Sequence, residues 1–231
     1  MKNTDGREYL QLVWKSPESR KQHVIGELSK NGKFCFKYCG SIKEAIDEGF
    51  IPIIAFSDIN RVYENDTMFP VFSSRLPSAN RVDIDQILQK YEMKEYDEFE
   101  LLRRSGSKLP TDNLEFIDPI FYESLEYYKN SHIERIFQVA GSKYYVNCNN
   151  KDCNIKEGER VELIPEPDNK FDSNAIKVIY NVMHIGYVPR CYSKALTEII
   201  NSGYNYDCYI NSIKKDKNDN YCIKLKVIIK L

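Results

Sequence analysis

The amino-acid sequence predicts an α+β chain, mostly β, organised as two domains. Three observations carry that reading. Between Arg135 and Ile229, six short apolar or alternating runs are separated by turn-forming residues, with one helical interval among them. Residues 9–38 hold three further runs of the same kind. A polar junction, Lys129, Asn130 and Ser131, falls where the charge balance changes sign: residues 1–130 carry 18 Lys and Arg against 22 Asp and Glu, and residues 131–231 carry 15 against 12. The chain of 231 residues gives each side enough length to bury its own core. The expected domains are therefore 1–130 and 131–231.

In the first domain, Tyr9–Trp14 reads as a strand, Lys15–Gln22 as a turn containing Pro17, and His23–Leu28 as the returning strand of a hairpin. Asn31 and Gly32 form a tight turn into Phe34–Tyr38, whose aromatic residues favour a third strand. Ser41 stands where it can cap a short helix ending near Gly49, and Ile51–Phe56 is a compact apolar run. A helix follows at about Ile84–Tyr91. Asp118 and Pro119 open another, with Ile120, Phe121, Leu125 and Tyr128 along one face.

In the second domain, strands are expected at Arg135–Gly141, Glu159–Ile164, Ala175–Tyr180 and Met183–Val188. A helix over Tyr192–Asn201 is stopped by Ser202 and Gly203, and strands Tyr204–Ile213 and Tyr221–Ile229 complete the chain. The last of these alternates Cys222, Lys224 and Lys226 with Ile223, Leu225 and Val227, the pattern of a half-exposed strand. Six strands with one inserted helix suggest a small, partly open barrel.

Composition narrows the function classes. Hydrophobic residues at 42% and aromatic residues at 13% exclude a disordered chain. No apolar run approaches the roughly 20 residues of a membrane span. The start Met1, Lys2, Asn3, Thr4, Asp5 has no apolar signal core, so a cytoplasmic location and no membrane partner are expected. The seven cysteines then read as reduced thiols. Cys148 and Cys153 are spaced like half a zinc site, but Cys191, Cys208 and Cys222 stand apart and the three histidines do not cluster, so no metal is assigned. A Gly-rich nucleotide loop, a P-loop and a kinase catalytic loop are all missing, so no catalytic residue and no cofactor are assigned either. The mild basic excess of residues 131–231 suits a short contact with a few phosphates.

Three blocks identify a resemblance in the second half: Glu166-Pro-Asp-Asn-Lys-Phe-Asp-Ser-Asn-Ala-Ile176, Ile185-Gly-Tyr-Val-Pro189, and upstream Val139, Ala140, Gly141, Ser142, Lys143, Tyr144, Tyr145. Together they resemble the HIRAN domain, a family found beside chromatin-remodelling helicases and nucleases and similar to an oligonucleotide-binding barrel. A second resemblance covers about residues 8–120. Phe72-Ser-Ser-Arg-Leu-Pro77, then Arg81-Val-Asp83, then Leu101–Asp112 resemble the N-terminal subdomain of HipA-type kinases, without the kinase core that follows in that family.

The HIRAN resemblance implies binding of single-stranded DNA at a free 3′-hydroxyl end. Phe171 and Tyr144 would stack bases, and Tyr145, next to Tyr144, is counted among the nucleic-acid-binding residues. Asp172 would accept a hydrogen bond from the terminal hydroxyl, since a carboxylate at a DNA site makes sense where a donor meets it. Lys143 and Arg190 would contact phosphates, Arg190 at the positive end of a helix. Asn169 and Asn174 are read as shaping the loop, and Asp172 with Asn174 would equally form an Asx-turn holding that loop together. The sequence has Phe171 where the family usually has Tyr, and Lys143 where it usually has Arg. The HipA resemblance supports an alternative: an antitoxin-like regulator docking on a separately encoded HipA-type kinase. A nuclease or helicase encoded nearby would fit the DNA-end reading.

Overall fold

In the computed structural model, which describes residues 8–109, 111–120, 122, 125, 132–146, 155–215 and 220–231, alternating burial lays down the first sheet. Strands β1 (Glu8–Lys15), β2 (Gln22–Asn31), β3 (Lys33–Tyr38), β4 (Val62–Asn65) and β5 (Leu114–Ile117) pair in the order β4-β3-β2-β1-β5, every pair antiparallel. A bulge between Leu12 and Val13 lets these consecutive residues both be buried. Helices α1 (Ile42–Asp47), α2 (Pro70–Ser73), α3 (Ile84–Lys90) and α4 (Glu98–Ser105) complete this part of the chain.

Its core is aromatic. Phe36 and Phe56 lie 4.4 Å apart by ring centroids, and Phe72 meets Phe116 edge-on at 5.0 Å. Fully burying one such ring stabilises by roughly 1.5–3 kcal/mol. α4 is closed at both ends, by the Asp97 carboxylate accepting from the Glu100 N–H (2.8 Å) and by Gly106 in the left-handed region. One expectation changes here. Ser41 does not cap α1; its hydroxyl turns to the Val24 carbonyl. The apolar run Ile51–Phe56 passes through a single 3-10 turn with Ile51 and Ile54 exposed and Phe56 buried.

The chain divides into two compact units, Met1–Pro119 and Ile120–Leu231. The division lies N-terminal to the 130/131 junction read from the sequence, and most of the helix expected from Asp118 falls outside the described residues, as do Cys148 and Cys153.

The second unit holds β6 (His132–Gln138), α5 (Ser142–Tyr145), β7 (Glu162–Pro165), β8 (Ile176–Tyr180), β9 (Met183–Tyr187), α6 (Arg190–Asn201), β10 (Tyr206–Lys215) and β11 (Tyr221–Lys230). Its strands form two three-stranded antiparallel sheets, β10-β11-β6 and β7-β8-β9. Isolated bridges, Ala140 to Tyr187 and Arg160 to Tyr209, join them. The expected partly open barrel is thereby corrected: single bridges stand where barrel closure would need continuous ladders, and the sheets are not closed. α6 turns Tyr192, Leu196 and Ile199, one helical face, into the core, and Tyr192 stacks on Phe137 at 5.2 Å. Among the described residues no helix is long and apolar enough to cross a membrane.

Candidate nucleic-acid interface

The connection between β7 and β8 is closed by its own polar groups. Asn169 Oδ1 accepts from the N–H of Phe171 (2.9 Å) and of Asp172 (3.2 Å), while its Nδ2 donates to Glu166 Oε2 (2.7 Å). Asp172 Oδ1 accepts from the Asn174 N–H at 2.9 Å, an Asx-turn. The Asn174 carbonyl takes a hydrogen bond from the Thr197 hydroxyl on α6 (3.1 Å), which ties the loop to the helix. With these bonds made, Asn169 and Asn174 shape the loop.

Satisfying the polar groups inward leaves Phe171 outward. Its ring is 88% exposed and has no aromatic or cationic neighbour among the described residues. Beside it opens a cavity of about 500 Å³ lined by the loop and the first turn of α6. Asp172 Oδ2 faces that turn, with the buried Ser193 hydroxyl at 3.2 Å and Arg190 Nε at 3.8 Å. The Ser193 proton has a second acceptor, the Arg190 carbonyl at 3.0 Å, so the carboxylate keeps unfilled lone-pair directions for another donor. Arg190 also donates to the Phe171 carbonyl (3.4 Å), and exposed Lys170 and Lys194 add positive charge to the rim.

Lys143, Tyr144 and Tyr145 stand on α5, one helical turn after Gly141, where the sequence suggested the end of a strand. Tyr144 is 74% exposed, with the Lys143 ammonium 4.6 Å from its ring centroid. Tyr145 instead packs on His184 (4.2 Å) and Tyr187 (5.7 Å). The structure therefore brings Asn169, Phe171, Asp172, Asn174 and Arg190 into one constellation and sets the α5 trio on a separate element.

A residue the sequence reading left unassigned links the two. Glu166 accepts from Asn169 and from the Tyr187 hydroxyl (3.0 Å) and pairs with Lys177 (2.5 Å), so it joins the loop to the aromatic group beneath α5. The bond from Lys177, then that from Asn169, hold its carboxyl well down, at about 2 against an ordinary 4.5. Burial and the Glu166 carboxylate raise the Tyr187 phenol, and burial lowers His184. A carboxyl depressed on folding contributes stability that is complete above its unfolded value and is lost as pH falls through the folded one. Glu166→Gln is thus expected to flatten the loss of stability between about pH 4.5 and about pH 2, read from denaturation midpoints across that range. An acid limb as steep as the wild type would contradict this role.

No curated protein matches the chain. Among solved structures, the crystal structure of the HIRAN domain of human HLTF matches at 21% identity and a TM-score of 0.35, over 44% of this chain and 80% of that one. The resemblance of residues 8–120 to the HipA N-terminal subdomain finds no support in these comparisons. In the second unit, the strands and the loop that carry the site all fall inside residues 134–231, and those residues match the family model described as the HIRAN domain.

Proposed function

We propose that the second unit binds single-stranded DNA at a free 3′ end and does so as a binding module, without a chemical step of its own. The observation that carries this reading is the pairing of a bare ring, Phe171, with an oriented carboxylate, Asp172, at one cavity rimmed by cations. Unstacked bases have exposed faces, and stacking on an aromatic side chain is worth about 1–3 kcal/mol per base. The carboxylate repels a phosphate and accepts from a hydroxyl, which favours a strand end with a free sugar hydroxyl over the interior of a strand; the 3′ end is what the family resemblance adds. Arg190, at the positive end of α6, suits the neighbouring phosphate. The match of residues 134–231 to the HIRAN family supports nucleic acid as the ligand class.

The test is a titration of the full chain with matched oligonucleotides that end in a 3′-hydroxyl or a 3′-phosphate. Phosphorylation removes the donor and sets a dianion against Asp172, so affinity is expected to fall several-fold or more. Equal affinity for the two ends, or no binding of either at low salt, overturns the reading.

A further inference from the structure

The sheet β10-β11-β6 has an outer face that the end-binding loop does not use. In β11, Ile223, Leu225, Val227 and Ile229 are fully buried, so Cys222, Lys224, Lys226 and Ile228 between them point the other way. Directly paired residues share a face. Register therefore sets Lys224 between Gln138 and Ser212, Lys226 between Ile136 and Tyr209, and Lys214 opposite Cys222.

Charge is unevenly compensated along this face. At the end away from α5, Lys226 pairs with Glu134 (2.8 Å), and Asp207 takes both Lys230 (2.6 Å) and Arg160 (3.3 Å). At the end nearer α5, Lys214 and Lys224 are exposed diagonal neighbours on adjacent strands, and among the described residues neither has a carboxylate partner. Like charges this close repel one another, and among the described residues no carboxylate pairs with either of them. The band continues onto α5. The Ser142 hydroxyl donates to the Tyr221 carbonyl at 2.7 Å, fixing α5 to the start of β11, and the Lys143 ammonium sits over Tyr144.

We infer that this band is a second contact surface for single-stranded DNA, taking backbone phosphates on the 5′ side of the end held at Asp172. The inference rests on the end-binding reading for its polarity and on charge complementarity for its occupant. Among the described residues, the two carboxylates paired on this face, Glu134 and Asp207, stand at its opposite end. Lys214 and Lys224 are the residues that would act, as point charges on phosphates with no base preference.

The experiment uses the full chain and its Lys214→Gln/Lys224→Gln variant, each titrated over a range of salt with a trinucleotide and a dodecanucleotide, each made with a 3′-hydroxyl and with a 3′-phosphate end. Two lost phosphate contacts are expected to lower dodecanucleotide affinity about ten-fold at low salt and to shallow its log–log salt slope by about 1.4. Trinucleotide affinity is expected to stay unchanged. A variant that binds the dodecanucleotide as the wild type does, while both keep their preference for the hydroxyl end, overturns the band and leaves the end site standing. An equal loss for both lengths also overturns it, since the lysines would then act through the end site. Loss confined to the dodecanucleotide, with no preference for the hydroxyl end at either length, keeps the band and removes the end reading.

Discussion

Gly186→Ala is expected to be the most damaging single-methyl change in the second unit, costing about 3 kcal/mol or more of stability. A Cβ at this position would lie 2.5 Å from the Ala140 carbonyl oxygen and 2.6 Å from Val139 Cγ1, and the backbone there has φ +137°, which side chains rarely adopt. Neither neighbour can yield cheaply. The next residue, Tyr187, exchanges two backbone hydrogen bonds with Ala140, at 2.8 and 2.9 Å, and this bridge joins β9 to the stretch that leads into α5. Opening the bridge releases Tyr187 from the position in which it donates to Glu166 and supports Tyr145. Gly158→Ala is the matched control, because its φ of +81° carries conformational strain but its Cβ would meet nothing within 4 Å. It should cost about 1 kcal/mol. Urea denaturation of both variants makes the comparison, and similar losses for the two would show that close approach at Gly186 is not what the position requires.

How far the sequence could be read depends on the range of the interaction behind each feature. β11 was legible because alternation is a local signal: Ile223, Leu225 and Val227 had to face one side whatever they packed against. α6 was legible for the same reason, with Tyr192, Leu196 and Ile199 recurring at helical spacing and Gly203 beyond the end. α5 was not, since one turn over Ser142–Tyr145 has no period to detect and Gly141 was read as the last residue of a strand. Closure of the sheets was not legible either. It turns on two isolated bridges between residues far apart in sequence, and strand patterns are identical for an open and a closed arrangement.

The site divides along the same line. Asn169, Asp172 and Asn174 bond within a few residues of themselves, so their loop chemistry could be read as an Asx pattern from the chain alone. Glu166 opens the same block, yet its importance comes from Lys177 on β8 and Tyr187 on β9, which only the sheet brings to it. Ser193 was missed because a serine in the first turn of a helix gives no hint that it will be buried against a carboxylate on another loop. Phe171 was named from its block, but its exposure could not be: an aromatic in a polar loop folds inward or stands out depending on what the loop leaves uncovered.

That exposure makes Phe171→Ala the variant in which stability and binding should separate most widely. A ring left 88% in solvent contributes little burial, so truncating it is expected to change the unfolding free energy by no more than about 0.5 kcal/mol. If a base stacks on it, the same change removes about 1–3 kcal/mol of binding, a loss of roughly 5- to 150-fold in affinity for an oligonucleotide with a 3′-hydroxyl. The loop should survive the change, because its bonds run through the Phe171 backbone N–H and carbonyl and not through the ring. Phe171→Tyr keeps the stacking face and is expected to bind within about two-fold of the wild type. Fluorescence anisotropy with a labelled oligonucleotide reads affinity, and thermal unfolding of the same preparations reads stability. Wild-type affinity in Phe171→Ala would move the stacking role away from this loop, to Tyr144 on α5, whose ring is also mostly in solvent. A parallel loss of stability and affinity would mean that the ring serves the fold, and its exposure would then have misled.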